Sequence, residues 1–316
     1  MAHLPLIVLV GPTGVGKTAL AITIARSLAE QRNLLCEVIS ADSRQIYQGL
    51  DIGAAKPTPA ECALLPHRLV DLVPPAYTLT LAEFQERAYR AINEVQARGN
   101  LPWLVGGTGQ WVQAVVEGWG IPRVPPDPVL RAELAAEAQA LGQEKFHARL
   151  AAIDPQAAAK IDPRNTRRVI RALEVYAKTG RPISQHQQKK PPPYRLLQLG
   201  LTMPRQELYL RIDKRIDRML AQGLLVEVAA LVAQGYGWQL PAMSGLGYKQ
   251  FAPYFEGKVT LAEVVANIKK DTRRFIRQQY NWFRLEDEAM TWVDVSQAGF
   301  EAQVMEAIRV FLTATK

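Results

Sequence analysis

One segment near the beginning of the chain has the residue types and spacing of a phosphate-binding loop. Its sequence, GPTGVGKT, matches the pattern G-x-x-x-x-G-K-[ST]. In such a loop, glycines let main-chain N–H groups turn towards phosphate oxygens at the start of a helix, and the lysine adds a positive charge. The last hydroxyl, that of Thr18, suits Mg²⁺. We therefore predict a di- or triphosphate site, not restricted to ATP, formed by Gly11, Pro12, Thr13, Gly14, Val15, Gly16, Lys17 and Thr18.

An acidic residue follows the second apolar segment of the chain. Cys36 to Ser40 is typical of a buried strand, and Asp42 comes two residues after its end. Because the carboxyl ends of parallel strands converge on the ligand crevice, we expect Asp42 beside the phosphate-binding loop. There it can serve as a general base or as a metal ligand. The local alternative is that its carboxylate only caps the turn that follows.

Two basic stretches supply further candidate residues. In Asn165 to Val175, apolar residues form one helical stripe and the arginines project elsewhere. In Asn267 to Arg284, six Lys or Arg residues and one Asp place a charge of +5 on one helix. Arginine at this density suits phosphate backbones. The aromatic residues Tyr280, Trp282 and Phe283 are expected to pack in the core rather than to stack on bases.

The net charge of +8, from 38 Lys or Arg and 30 Asp or Glu residues, is distributed unevenly. Residues 1–126 are neutral, residues 127–194 carry +5 and residues 195–316 carry +3. This localised charge predicts a polyanionic partner, which for a cytosolic protein is most often nucleic acid. On charge alone, a solvated basic surface without such a partner is the alternative.

The hydrophobic pattern indicates the elements that position these residues. Leu4 to Val10 is a continuous apolar run before the loop, and it predicts a strand covered on both faces. The chain then continues with predicted helices over Thr18–Arg32 and Leu81–Arg98, and predicted strands over Cys36–Ser40, Leu69–Val73 and Trp103–Val105. This order is typical of an α/β fold with a doubly wound parallel sheet of the P-loop class.

Prolines divide the rest of the chain. Clusters at 122–128 and 191–193 bracket an almost wholly helical stretch, and Leu196 to Leu201 has the pattern of one more strand. We therefore predict an α/β core, residues 1–126 and 195–316, with an all-helical domain, residues 127–194, inserted into it. C-terminal helices are expected over Gln206–Gln234, Leu261–Phe283 and Gln303–Thr313.

Composition excludes several classes of protein. The 48% of hydrophobic and 22% of charged residues, with a mean hydropathy of -0.08, are typical of an ordinary globular protein. Leu4 to Val10 is too short to span a membrane and lacks the features of a signal peptide. The two cysteines, Cys36 and Cys62, have the spacing of neither a disulfide framework nor a zinc site. We therefore expect a cytoplasmic protein with no membrane association.

Six ordered blocks, extending over nearly the whole chain, together resemble the tRNA dimethylallyltransferase family. The blocks are Gly11–Thr18, Ser40–Pro57 (SADSRQIYQGLDIGAAKP), Leu104–Gly109 (LVGGTG), Asn165–Val175 (NTRRVIRALEV), Leu246–Lys249 (LGYK) and Thr272–Arg284 (TRRFIRQQYNWFR). That family transfers the dimethylallyl group of dimethylallyl diphosphate to the exocyclic N6 amine of adenosine 37, next to the anticodon. The resemblance implies a prenyl diphosphate in the P-loop instead of ATP. Without the zinc finger of eukaryotic relatives, the chain is similar to the bacterial type.

The chemistry of that reaction assigns roles to the candidate residues. Asp42 is the expected base for the N6 proton, while Lys17, Thr18 with Mg²⁺ and Arg273 stabilise the departing diphosphate. The target nucleotide is expected to flip into a channel through the α/β domain. We expect a monomer that binds the tRNA anticodon stem-loop. The implied tRNA contacts are Asp42, Ser43, Arg44, Gln45, Thr108, Arg131, Arg167, Arg168, Val169, Ile170 and Arg171.

Two other functions fit part of the pattern. A small-molecule or nucleoside kinase shares the P-loop, the sheet and an acid after the second strand, but it needs ATP and has no use for basic helices. A nucleic-acid-binding NTPase explains the basic surface. Such enzymes need an apolar strand that ends in a magnesium-binding acid, whereas Trp103 to Val105 is followed by Gly106, leaving Asp71 as a weak candidate.

Overall fold

A six-stranded parallel sheet lies at the centre of the fold in the computed structural model, which describes residues 4–314. The strands are β1 (Leu4–Val10), β2 (Cys36–Ser40), β3 (His67–Arg68), β4 (Leu101–Gly106), β5 (Tyr194–Thr202) and β6 (Thr291–Asp294). Their order across the sheet is β3-β2-β4-β1-β5-β6, and every neighbouring pair is parallel.

Fourteen α-helices and one 3₁₀ turn, Lys249–Phe251, account for most of the remaining described residues. The helices of the first part of the chain are α1 (Lys17–Arg32), α2 (Pro59–Leu64), α3 (Leu81–Ala97) and α4 (Gly109–Val116). The middle part contains α5 (Pro128–Leu141), α6 (Gln143–Ile153), α7 (Pro155–Ala158), α8 (Thr166–Thr179) and α9 (Ile183–His186). The last part contains α10 (Arg205–Ala221), α11 (Leu224–Ala233), α12 (Ala252–Phe255), α13 (Leu261–Trp282) and α14 (Phe300–Thr313).

The central strand β1 lies between β4 and β5. Its residues Leu6 to Val10 are fully buried, which explains the continuous apolar run in the sequence. Val10, its last residue, is in register with Gly106 of β4 and Gly200 of β5. The predicted α/β fold with a parallel sheet, an inserted helical stretch and C-terminal helices is therefore confirmed. No helix within residues 4–314 combines the length and the apolar composition that are needed to cross a membrane.

The chain forms two compact units. The first consists of Met1–Leu79, Phe84–Val112 and Pro193–Lys316, of which residues 1–3 and 315–316 lie outside the described part. The second consists of Thr80–Glu83 and Gln113–Pro192. Helices α5 to α9 belong to this second unit, and they pack around a core of its own that includes Phe146, Leu150, Val169, Leu173 and Val175.

One strand prediction was wrong, and the edge strand β6 was not predicted. Leu69–Val73 is not a strand, because Leu69 and Asp71 have left-handed backbone angles, φ 64° and 54°, that interrupt an extended chain. The main-chain N–H groups of Asp71 and Val73 donate instead to the carbonyl oxygens of Gln45 and Ile46. The edge strand β6 was missed, because four residues are too few for a clear alternation of apolar and polar side chains.

Candidate active site

The phosphate-binding loop connects the buried strand β1 to helix α1. Three glycines of the loop have positive φ angles, 144° at Gly11, 82° at Gly14 and 111° at Gly16. Residues other than glycine rarely adopt such angles. Gly16 is the N-cap of α1, and the first turn of this helix contains no acidic residue. The positive end of the α1 dipole therefore faces the loop, as an anion site requires.

Lys17 folds back across this loop. Its Nζ donates hydrogen bonds to the carbonyl oxygens of Gly11 at 2.8 Å and Pro12 at 3.0 Å. Burial lowers the pKa of Lys17 to about 8; the charge of Asp42 opposes this shift and that of Arg215 adds to it. The ammonium group therefore lies within electrostatic reach of the predicted base.

Asp42 follows β2 and begins a tight turn. Its Oδ1 accepts a hydrogen bond of 2.8 Å from the main-chain N–H of Arg44, so the capping role is present. Within residues 4–314, the second carboxylate oxygen has no hydrogen-bond partner. The capping role therefore leaves one oxygen of Asp42 for other chemistry.

Ser43 and Thr108 bring the loops after β2 and β4 into contact. The main-chain N–H of Ser43 donates to Oγ1 of Thr108 at 3.1 Å, and the two hydroxyl oxygens are 3.4 Å apart. Gly106 makes this approach possible, because a Cβ atom there would lie 2.3 Å from the carbonyl oxygen of Ala41. Two predicted tRNA contacts from distant parts of the sequence thus form one polar patch.

The next two predicted tRNA contacts, Arg44 and Gln45, are engaged within the protein. The guanidinium of Arg44 donates to the carbonyl oxygen of Pro241, and burial lowers the pKa of Arg44. The amide of Gln45 accepts from the hydroxyl of Ser40 at 2.8 Å and donates to the carbonyl oxygen of Ala55 at 3.1 Å. In this structure, both side chains fix the loop that carries Asp42.

Helix α10 contributes two arginines that the sequence analysis missed. A Cβ atom on Gly16 would lie 3.2 Å from a guanidinium nitrogen of Arg211, so this side chain reaches the start of α1. Arg215 is one turn further along; burial lowers its pKa, and the charge of Asp42 opposes that shift. The i,i+4 spacing of these arginines on the helix after β5 was the only signal available.

Three polar contacts join helices α10 and α13. One of them involves Arg273, the third residue that was predicted to stabilise the diphosphate. Arg273 pairs with Asp213 and lies over the ring of Tyr209, 5.5 Å from its centroid. It has no hydrogen bond or ion pair with the P-loop among residues 4–314, so its predicted role at the diphosphate stays a prediction. The three contacts are a hydrogen bond and two ion pairs: Arg277 with Tyr209 at 3.3 Å, Arg273 with Asp213, and Lys269 with Asp217 at 2.6 Å.

In the second unit, the predicted tRNA contacts fall into two groups. Arg167 and Arg168 are exposed at the start of α8, and neither side chain makes a hydrogen bond or ion pair with residues 4–314. Arg131 and Arg171, in contrast, both pair with the fully buried carboxylate of Glu174. Of the two apolar members, Val169 is fully buried in the core of the unit and Ile170 is partly buried.

Comparison with known proteins shows which family this chain resembles. A family profile described as "IPP transferase" matches residues 45–286, and one described as "Isopentenyl transferase" matches residues 4–69. The chain belongs to the IPP transferase family. A protein of Roseiflexus sp. named tRNA dimethylallyltransferase is 51% identical over 311 residues, which cover 98% of this chain and 100% of that protein. The resemblance seen in the six sequence blocks is therefore confirmed.

Solved structures of IPP transferases have the same fold. The full-length tRNA isopentenylpyrophosphate transferase of Bacillus halodurans is 39% identical, with a TM-score of 0.71 over 98% of this chain and 96% of that one. A eukaryotic dimethylallyltransferase acting on tRNA is 26% identical, with a TM-score of 0.82 over 99% of this chain and 80% of that one.

The residues of this IPP transferase fit a magnesium ion that binds together with a phosphate group. No cluster of three or more His, Cys, Asp or Glu side chains in the described part of the chain could hold a metal alone. Mg²⁺ commonly takes only one or two protein ligands and completes its shell with substrate phosphates and water. Thr18, in the first turn of α1, has a partly exposed side chain that makes no hydrogen bond with residues 4–314. Its hydroxyl is therefore available as such a ligand.

Proposed function

We propose that this protein transfers the dimethylallyl group of dimethylallyl diphosphate to N6 of adenosine 37 in tRNA and releases diphosphate. The observation that supports this most strongly is the electrostatic proximity of Asp42 to Lys17 of the P-loop, in a member of the IPP transferase family. This proximity supports the pairing of a candidate base with a candidate diphosphate site. The alignment with the Roseiflexus sp. protein named tRNA dimethylallyltransferase covers 98% of this chain and 100% of that protein.

On the acceptor side, the proposed reaction needs a base. The N6 nitrogen forms a bond to the first carbon of the dimethylallyl group while the bond from that carbon to the diphosphate oxygen breaks. Because the lone pair of N6 is delocalised into the purine ring, a base must take one N6 proton as the C–N bond forms. We assign this proton to the oxygen of Asp42 that has no hydrogen-bond partner among residues 4–314.

On the donor side, negative charge develops on the leaving diphosphate. We assign its stabilisation to the P-loop N–H groups, Lys17 and the two α10 arginines, Arg211 and Arg215. Preorganised donors of this kind need no rearrangement during the reaction. When bound at Thr18, Mg²⁺ would neutralise part of the phosphate charge.

On the tRNA side, we propose that Asp42 and Ser43 hold the flipped adenosine and that Thr108 supports Ser43. The exposed arginines Arg167 and Arg168 are the proposed contacts to the phosphate backbone of the anticodon stem-loop. We further propose a monomeric enzyme that acts in the cytoplasm, where its tRNA substrate is found. The absence of a membrane-spanning helix within residues 4–314 is compatible with this location.

A reconstituted reaction tests the proposed function. Purified protein is incubated with Mg²⁺, dimethylallyl diphosphate and an unmodified tRNA that carries adenosine 37, without ATP, and the digested tRNA is weighed by mass spectrometry. We expect a gain of one C₅H₈ unit on that adenosine and release of one diphosphate. No gain, with ATP-dependent phosphorylation of a small molecule in a parallel reaction, would show that the protein is a kinase.

A further inference from the structure

Gln279 of α13 is a buried polar residue that connects two loops of the candidate active site. Its side chain is 3% exposed. The amide oxygen accepts a hydrogen bond of 2.9 Å from the main-chain N–H of Thr13, in the P-loop. The amide nitrogen donates a hydrogen bond of 3.0 Å to the carbonyl oxygen of Gly107, in the loop after β4. One side chain thus satisfies main-chain groups from two segments far apart in the sequence.

The three segments are packed closely. A Cβ atom on Gly107 would lie 2.4 Å from the amide nitrogen of Gln279 and 3.4 Å from the carbonyl oxygen of Gly11. Gly107 directly precedes Thr108, whose hydroxyl contacts Ser43. Gln279 is therefore fixed on one side to the loop for the diphosphate and on the other to the loop next to the proposed adenosine contacts.

We propose that Gln279 is a positioning residue that sets the distance between the two substrates of the transfer reaction. This inference rests on the proposed function. Attack on the allylic carbon requires the reacting atoms to be held about 3–3.5 Å apart, and a displacement of about 1 Å can cost about 100-fold in rate. By joining the two loops, the amide of Gln279 keeps this separation constant.

The chemistry of the amide restricts what can replace it. Glutamine offers one acceptor and one donor at the same reach. Glutamate has the same shape but only accepts when ionised, so it repels the carbonyl oxygen of Gly107 and places a negative charge near the diphosphate. Methionine has a similar length but leaves both main-chain groups unsatisfied, and asparagine is too short to reach both loops.

The test compares Q279M, Q279E and Q279N with a matched control, Q250M. Gln250 is 7% exposed; its amide accepts from the N–H of Gly247 at 3.0 Å and donates to Asp271 at 2.8 Å. Replacing this buried side chain therefore deletes two hydrogen bonds outside the two loops, one buried and one partly buried, as are the two of Gln279. For each variant we would measure Tm, the Kd for tRNA, and kcat and KM for dimethylallyl diphosphate.

We expect Q279M and Q279N to lower kcat about 10- to 100-fold at saturating substrates, with the tRNA Kd within about twofold of the wild type. Q279E should in addition raise KM for dimethylallyl diphosphate. Q250M should lower Tm to a similar extent, with kcat within about threefold.

Failure of the proposed function is seen separately, as a wild-type protein that transfers no dimethylallyl group. If the wild type is active, either of two results overturns the inference. One is that Q279M keeps the kcat of the wild type. The other is that the kcat of Q279M falls no further than that of Q250M at an equal loss of Tm. If Q279M does not fold, the kcat of Q279N decides in the same way.

Discussion

Arg273 of α13 and Asp213 of α10 form an ion pair that leaves one nitrogen and one oxygen buried without partners. Within residues 4–314, the unpartnered atoms are Nε of Arg273 and Oδ1 of Asp213. The pair is one of the three polar contacts between the two helices. The side chain of Arg273 is 42% exposed and that of Asp213 is 22% exposed, so water screens their attraction in part.

This pair provides a test of the role predicted for Arg273. R273Q and D213N each break the ion pair, and we expect each to lower the free energy of unfolding by about 1–2 kcal/mol, measured by urea denaturation. If Arg273 binds the diphosphate as the sequence analysis predicts, R273Q should raise KM for dimethylallyl diphosphate, while D213N should leave it within about threefold. A KM that stays within about threefold in both variants would show that the ion pair with Asp213 is structural and that Arg273 does not bind the diphosphate.

Replacement of Asp42 by asparagine separates catalysis from the structure of the turn. The amide oxygen of asparagine can still accept the hydrogen bond from Arg44, but the side chain cannot take the N6 proton at neutral pH. We expect D42N to lower kcat about 10²- to 10⁴-fold, with the tRNA Kd largely unchanged. Alanine removes both functions, so D42A should in addition be less stable. A fully active D42N protein would exclude Asp42 as the base.

The sequence alone predicted the local features of the fold and of the site. The strands at Leu4–Val10 and Cys36–Ser40, and the P-loop between β1 and α1, depend on neighbouring residues, and the structure confirms them. The strand predicted over Leu69–Val73 does not form, because hydrogen bonds to Gln45 and Ile46 override the strand propensity of this segment. Such contacts depend on tertiary structure, which a single segment does not reveal.

The missed site residues depend on how helices pack. Arg211 reaches the P-loop because the neighbouring residue on α10, Ile212, packs on Gly14. A Cβ atom on Gly14 would lie 2.4 Å from the side chain of Ile212. Gln279 is a buried residue of α13, and its two hydrogen-bond partners are 266 and 172 residues away in the sequence. Helical periodicity shows which face is buried and gives no information about the loop that meets it.

Lys17 gives the reaction a dependence on pH. Because its pKa is about 8, well below the usual value for lysine, its positive charge is present below pH 8 and is lost as the pH rises above that value. We propose that the charged form binds the diphosphate, and on that basis KM for dimethylallyl diphosphate should rise above pH 8 by up to about tenfold per pH unit. Initial rates between pH 6.5 and 9.5, at constant Mg²⁺ and ionic strength, measure this change.

The matched control for this prediction is K17M. It should have a high KM that does not change over the same pH range, because no charge is left to titrate at this position. If K17M shows the same rise as the wild type, the pH dependence belongs to another group.

Arginines of α8 should differ in their effect on tRNA binding. Arg167 and Arg168 are exposed and unpaired with residues 4–314, so the double variant R167Q/R168Q should weaken tRNA binding without a change in Tm. Each lost phosphate contact should reduce the slope of log Kd against log salt concentration by about 0.7 to 0.9. An unchanged slope would contradict the proposed contact.

Arg171 is the internal comparison for that experiment. Its guanidinium pairs with the fully buried carboxylate of Glu174 and donates to the carbonyl oxygen of Val124 at 3.0 Å. R171Q should therefore lower the free energy of unfolding by about 1–3 kcal/mol, because it removes a hydrogen-bond donor from a buried charge. Denaturation curves of R171Q and R167Q/R168Q, recorded side by side, distinguish the two kinds of arginine.

The carboxylate of Glu227, on α11, holds the loop that continues from the proposed adenosine contacts. It accepts hydrogen bonds from the main-chain N–H groups of Asp51 at 2.9 Å, Ile52 at 2.7 Å and Gly53 at 3.1 Å. The buried hydroxyl of Tyr248 donates a fourth, at 2.7 Å. Burial and the adjacent charge of Glu227 raise the pKa of Tyr248, so its proton stays in place.

Removal of this carboxylate should loosen the loop without unfolding the protein. Hydrogen bonds to a charged group contribute about 1.5–3 kcal/mol each when the partner is removed, so E227A should speed amide exchange at residues 51–53 about 10- to 100-fold. Exchange at Gln45 should rise as well, because its side chain is bonded to Ala55 in the same loop. Hydrogen–deuterium exchange with mass spectrometry measures both effects.

The control for this loop is E256A, which removes an exposed carboxylate whose only ion-pair partner among residues 4–314 is Lys258, at 2.7 Å. It should leave exchange in residues 45–57 unchanged, because surface ion pairs contribute little. E227Q keeps one acceptor oxygen and should fall between E227A and the wild type. If E227A exchanges at the wild-type rate, main-chain contacts alone hold the loop, and Glu227 has no part in presenting Asp42 and Ser43.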